Sequence, residues 1–276
     1  MIAPTMTSDA AESHAPPLLG PDDPPAYLRL NETGAAPAVI ACDHASNRVP
    51  AALGDLGAVA AAMERHIAYD IGAAGVARRL SALLDAPALL SGYSRLVIDI
   101  NRDPDDFTSI REIYDRVVIA GNRRLTPADR AQRAAQLFHP YHDALAAALE
   151  AKTAQVSHPM LISVHSCTDV YKGERRPWHI GVLSNEDRRM AERVMAQLAE
   201  ARPDLVIGDN KPYSGLDSFG YTVETHAQPQ GRPNVLFEVR QDLIRTEEGQ
   251  ARYAEILADA LRPCLADPDL FTPYRG

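Results

Sequence analysis

The sequence predicts an α/β fold with a mainly parallel central sheet in a single domain. Three observations carry this. Short runs rich in Val, Ile and Leu alternate with long Ala-rich, charged segments, the rhythm of βα units. At 276 residues, 46% hydrophobic and 24% charged, the chain is long enough for one full-sized core. Polar residues with chemistry to offer also sit directly after the apolar runs, where an open α/β sheet binds its ligands.

In chain order, the opening "MIAPTMTSDAAESHAPPLLGPDDPP" has little to bury and reads as a flexible arm over residues 1–25, ahead of a domain spanning 26–276. "PAVIAC" (37–42) is the first predicted strand, followed by a helix over 57–84 and a strand at "RLVIDI" (95–100). A helix over 127–153 opens with Thr126 as its cap and Pro127 at the first helical position. "MLISVH" and "HIGVLS" read as strands, and a helix over 185–201 follows Ser184 or Asn185. "YTVET" and "NVLFEV" are the last predicted strands, and Thr246 ahead of Glu247 and Glu248 opens a helix over 246–261.

Composition narrows the function. A net charge of −9 argues against a protein that grips phosphate backbones, which takes clustered Lys and Arg, so no nucleic-acid partner is expected. No run approaches the ~18 apolar residues of a membrane span, and the first residues lack a basic start and an apolar signal core. The chain reads as cytoplasmic. Cys42, Cys167 and Cys264 are odd in number and show no CxxC spacing, which suggests neither a disulfide framework nor a thiolate zinc site.

Four apolar runs end in chemistry: "VIAC" in Asp43-His44, "RLVIDI" in Asn101-Arg102, "LISV" in His165-Ser166, and "NVLF" in Glu238-Val239-Arg240. Two imidazoles able to hold a metal, a carboxylate to take a proton from its water and several arginines for an anionic substrate fit a zinc hydrolase. Each piece alone has a plainer reading. A histidine in a turn can bond to backbone, Asp99 can pair with Arg95 or Arg102, and Glu238 beside Arg240 can be a surface ion pair worth little. Their joint arrival at strand ends favours the site.

Together the motifs "DHASNRVP", "SRLVIDINR", "SVHSCT" and "FEVRQDL", in that order and with "HPYH" at 139–142, resemble those of the N-formylglutamate amidohydrolases. The resemblance covers residues 38 to 262. That family is similar in turn to zinc carboxypeptidases and aspartoacylases, which implies a phosphorylase/hydrolase-like three-layer sandwich around a mixed, mainly parallel sheet. The resemblance implies one Zn2+ held by His44 and His165, a general base at Glu238, and a carboxylate clamp at Asn101 and Arg102. Arg95 matches, more loosely, an arginine that polarises the scissile carbonyl. Arg240 is assigned to a substrate carboxylate or to orienting Glu238.

The chain departs from those relatives at Asn47, three residues after His44, where they carry a glutamate ligand. An amide oxygen binds zinc more weakly than a carboxylate. Asn47 is the favoured third ligand, with Asp43 turning toward the metal or a weakly held metal as alternatives. His226, in "VETHAQPQGRPN", reads as a loop residue lining the pocket. His139 and His142 have a possible metal spacing, but read more plainly as a helical turn satisfying interior groups. Tyr69-Asp70 is expected to support the His44 loop from behind, and Cys42 and Cys167 to pack as small apolar neighbours. The expected reaction is hydrolysis of a small anionic N-acyl amino acid such as N-formyl-L-glutamate. A metallocarboxypeptidase or amidase acting on peptide or cell-wall fragments, and a carboxylate-binding relative that has lost its metal, are the alternatives.

Overall fold

The runs at 38–42, 160–167 and 234–240 become strands in which every residue is buried, as expected of parallel strands covered on both faces. In the computed structural model, which describes residues 17–216 and 220–275, they lie at the centre of a seven-stranded sheet. Its members are β1 (Tyr27–Leu30), β2 (Ala38–Cys42), β3 (Ala88–Ser91), β4 (Met160–Cys167), β5 (Ile180–Leu183), β6 (Ile207–Asp209) and β7 (Asn234–Arg240), in the spatial order β1-β3-β2-β4-β7-β5-β6. The pairs β3/β2, β2/β4, β4/β7 and β5/β6 are parallel. The pairs β1/β3 and β7/β5 are antiparallel, so the sheet is mixed and mainly parallel.

Helices α1 (Ala73–Leu84), α2 (Pro127–Arg133), α3 (His139–Lys152), α4 (Arg189–Ala201), α5 (Tyr221–His226) and α6 (Glu247–Leu265) complete the sandwich. One face of the sheet packs Ile40, Ile162 and Phe237 against α1, α4 and α6. The other packs Val39, Leu161 and Leu236 against α3 and the irregular stretch from Tyr93 to Ile119. Two sequence-visible caps are in place: Thr126 forms a capping box with Asp129 at α2, and Thr246 accepts from the Gly249 N–H at α6. Helices α2 and α3 form one rod joined by a π-turn, Ala134–Phe138. Pro140 explains the widening, since it has no N–H for the carbonyl of residue 136 and its ring crowds that carbonyl in an α-turn. Among the described residues, no helix is long and apolar enough to cross a membrane.

Several predicted elements differ. Residues 95–100 are not a strand. Leu96, Val97, Ile98 and Ile100 are all buried, and the carbonyls of Leu96 and Val97 accept from Asn122 Nδ2 (2.8 Å) and Arg133 Nη1 (2.8 Å) instead of joining a ladder. The β-branched run at 221–225 is helix α5, because Asn101 Oδ1 accepts the Thr222 N–H at 2.9 Å and opens it. A Cβ on Gly220, which has a φ of 89°, would lie 2.4 Å from Asn101 Nδ2, so only glycine fits this start. The predicted helix 57–84 is broken into Ala60–Met63 and α1, with 64–72 an irregular link ending at Gly72, φ 81°. The short strands β1, β3 and β6 carried no signal strong enough to be read. Of the predicted arm, residues 1–16 lie outside the described residues. Residues 17–25 pack onto the domain: Leu18 is buried, its N–H donates to Gln136 Oε1 at 2.9 Å, and the Pro24 carbonyl accepts from Tyr93 Oη.

Candidate metal centre

The parallel register sets His165 on β4 directly beside Glu238 on β7. Period-two alternation turns both toward the same face as Leu161 and Leu236, under α3. Asp43 and His44 follow the end of β2, one strand away. Asp70 completes the group from the 64–72 link, held there because its N–H donates to the His44 carbonyl at 2.9 Å. One ligand atom from each of His44, Asp70 and His165 lies within 4.8 Å of the others, and all three residues are buried.

Both rings point the same way. His44 Nε2 is 2.7 Å from Asp99 Oδ1, and His165 Nε2 is 3.1 Å from Asp43 Oδ2. A carboxylate only accepts, so Nε2 carries the proton in each ring and Nδ1 faces the centre. The Nδ1 atoms lie 3.4 Å (His44) and 2.9 Å (His165) from the same Asp70 oxygen. A carboxylate behind each imidazole is the arrangement that fixes tautomer and orientation in metal-ligating histidines. His44 Nδ1 is buried without a hydrogen-bond partner among the described residues, a costly state that a cation would relieve. Burial alone would depress His165, but hydrogen bonds to Asp43 and Asp70 outweigh it and hold the imidazole well above its ordinary value. The hydrogen bond between His165 Nδ1 and Asp70 Oδ2 takes a place that a divalent ion would serve equally, so the donor set fits a metal such as zinc.

The supporting carboxylates are themselves secured. Asp43 Oδ1 accepts from Tyr141 Oη (2.7 Å) and Thr222 Oγ1 (2.9 Å). Its burial, which favours the neutral acid, is overcome chiefly by His165, and its pKa falls to about 2. Asp99 Oδ2 accepts from Arg95 Nη2 and Arg102 Nε, both at 3.2 Å. Against its burial, the Arg95 and His44 charges hold Asp99 well below the usual carboxylate range. Glu238 is the opposite case. Its Oε2 is buried with no hydrogen-bond partner among the described residues, and burial, aided by the Asp70 charge, pushes the carboxyl up to about 7 against His165 and Arg95.

The structure therefore brings His44, His165, Glu238 and Arg95 together, with Arg95 Nη1 reaching Asp70 Oδ1 at 3.3 Å. Arg102 adjoins them through Asp99 and Thr108 Oγ1, and is about a third exposed. Asn47 is not in the group. Its amide donates to the Met63 carbonyl (3.0 Å) and Glu64 Oε1 (3.3 Å), and Asp70 takes the third place instead. Asn101 spends its Oδ1 on capping α5. Arg240 is held by Asp242 at 2.8 Å and by the Arg176 carbonyl at 3.1 Å. His226 is not on a loop. It lies on α5, with Nε2 2.9 Å from His142 Nδ1, and His142 Nε2 donates to the Ile100 carbonyl at 2.9 Å. Burial and the neighbouring His142 lower His226 to about 4, so this pair is a neutral tie between α5 and α3. His139 is exposed. Sequence reasoning placed Asp70 behind the site instead of in it. The available signal was Gly72, which breaks the helical pattern two residues later.

A family model described as N-formylglutamate amidohydrolase matches residues 36–245. Over 201 residues the chain is 24% identical to an N-formylglutamate deformylase of Pseudomonas aeruginosa, spanning 67% of this chain and 74% of that protein. A crystal structure of a gene product of Agrobacterium tumefaciens superposes with a TM-score of 0.84 at 32% identity, covering 90% of this chain and 99% of that one. That of an N-formylglutamate amidohydrolase from Ralstonia eutropha shares the fold, with a TM-score of 0.66 at 19% identity over 87% and 96% of the two chains. The fold is that of an α/β hydrolase family. The chain belongs to the N-formylglutamate amidohydrolase family.

Proposed function

We propose that this protein hydrolyses the amide bond of an N-formyl acidic amino acid such as N-formyl-L-glutamate, releasing formate and the free amino acid, with zinc as its metal. The observation that carries this is the pairing of the His44/Asp70/His165 group with a buried Glu238 on the adjacent strand, whose Oε2 has no hydrogen-bond partner among the described residues. A zinc ion on the two Nδ1 atoms and an Asp70 oxygen would supply Lewis acidity and acidify a water toward neutral pH.

The protein's own groups do the rest. Glu238 accepts a proton from the attacking water as the C–O bond forms, then delivers it to the amide nitrogen as the C–N bond breaks. A carboxyl titrating near 7 suits both directions of transfer. Arg95, fixed by Asp70 and Asp99, lies where positive charge favours the developing oxyanion. Arg102 has Nη2 unused by its bonds to Asp99 and Thr108, and it holds the α-carboxylate of the substrate. The reading of a relative without metal rested on Asn47, and a buried third donor at Asp70 argues against it. Three buried, free cysteines support a reducing, cytoplasmic setting.

The test is elemental analysis of the purified protein together with formate release from N-formyl-L-glutamate before and after chelation. Zinc at about one per chain with chelator-sensitive release supports the proposal. Absence of release after zinc is restored overturns it.

A further inference from the structure

We propose that Arg176 is the residue that binds the side-chain carboxylate of the substrate and so sets a preference for acidic amino acids. This rests on the deformylase reading above. Residues 170–175 form a tight hairpin, Val170–Tyr171 against Glu174–Arg175, with Lys172 and Gly173 both at positive φ. The hairpin leaves β4 just after Cys167, two residues beyond His165. It returns at Arg176, whose N–H donates to the Asp169 carbonyl at 2.8 Å.

The guanidinium of Arg176 is built into place. Nη1 donates to Thr168 Oγ1 at 3.1 Å and Nη2 to Tyr213 Oη at 3.2 Å. The rings of Tyr171 and Tyr213 flank it at 5.1 and 5.0 Å. The residue is 7% exposed, whereas the two tyrosines on its solvent side are about half exposed. Arg240, expected from sequence to meet the substrate itself, instead holds the Arg176 carbonyl.

Charge separates Arg176 from its neighbours. Arg95, Arg102 and Arg240 each have a carboxylate within 3.3 Å. Arg176 makes no ion pair among the described residues, and a buried guanidinium without an anion is costly. Its planar fork matches a carboxylate, and aromatic walls lower the local polarity. Thr168, which holds its Nη1, comes three residues after His165, and Arg240, which holds its carbonyl, two residues after Glu238 on the paired strand, and this sets Arg176 on the Glu238 side of the centre. Arg102 lies on the other side, tied through Asp99 to His44 beyond β2. Two guanidinium groups flanking one centre suit a substrate with two carboxylates.

The experiment compares kcat/KM for N-formyl-L-glutamate and N-formyl-L-glutamine in the zinc-loaded wild type, R176M and R176K. In parallel, calorimetry measures binding of L-glutamate and L-glutamine. The ratio between the two substrates should fall about 100-fold in R176M, mainly through KM for the glutamate substrate, the scale of a lost charge-assisted pair. R176K should retain part of the preference, and it decides the comparison if R176M does not fold. An unchanged ratio in the folded variant overturns the assignment. If the wild type releases no formate, the deformylase reading fails, and calorimetry judges Arg176 alone. A glutamate preference that the variant loses upholds the site. A preference absent from the wild type, or kept by the variant, overturns it.

Discussion

Replacing Glu238 by glutamine should separate the chemistry of this residue from its cost to folding. Burial lifts the carboxyl from its ordinary 4.5 to about 7, so the folded protein binds this proton more tightly than the unfolded chain does. The sign follows: the contribution to stability is fully present below the unfolded value and is lost as the pH rises through the folded one. Linkage puts the loss at about 1 kcal/mol by pH 5 and about 3 kcal/mol by pH 8. Glutamine has no proton to lose. Whatever fixed cost its amide carries at the partnerless Oε2 position is the same at both pH values and cancels in the comparison. In chelated protein, E238Q should therefore gain about 2–3 kcal/mol on the wild type between pH 5 and pH 8, roughly 5–10 °C in Tm for a chain of this size. Urea denaturation at the two pH values reads the difference. Formate release by the zinc-loaded variant should fall by about a thousandfold. A stability difference independent of pH would refute the buried, ionising carboxylate, and retained turnover would remove Glu238 from proton transfer.

Other substitutions probe the remaining parts. D70N should reduce zinc to well below one per chain by elemental analysis, whereas N47A should keep it, since Asp70, and not Asn47, lies beside the Nδ1 atoms of both imidazoles. D99N leaves the ligands in place but removes the negative charge behind His44, and competition with a chelating dye should show metal affinity reduced about 10- to 100-fold. R102A should lower kcat/KM for N-formyl-L-glutamate about 100-fold and for its α-amide far less, and equal losses would argue against the clamp. G220A forces a Cβ against Asn101 at a φ of 89°, so its thermal midpoint should fall by several degrees, a loss of more than about 1 kcal/mol.

The sequence made the strands that deliver the chemistry readable, because each is a continuous apolar run ending in a polar residue. His44, His165 and Glu238 follow from that pattern alone. Asp70 does not, since it lies on an irregular link whose shape is set by contacts with His44 and Ser94, residues distant in the chain. Polar residues at strand ends also divide between ligand and backbone, and spacing does not say which. Asn101 caps a helix, Arg240 braces a hairpin, and His226 joins another histidine. The run at 221–225 reads as a strand because its β-branched residues favour one. It folds as a helix because Thr222 and His226, four apart, then reach Asp43 and His142 from one face. Arg176 had no local signal at all, being an exposed-looking residue in a charged turn.

The π-turn at 134–138 sets the phase of the α2–α3 rod. Arg133 braces Val97, in the segment that carries Asp99, and Tyr141 braces Asp43; those two aspartates orient the two imidazoles. Eight residues apart on an uninterrupted α-helix, Arg133 and Tyr141 would project about 80° apart. The extra residue in the π-turn brings them to within about 20° of one another, on a common side. One inserted residue, more than 25 positions from any metal ligand in the chain, thus lets a single rod align both halves of the centre. Deleting one residue from the turn would put them out of step.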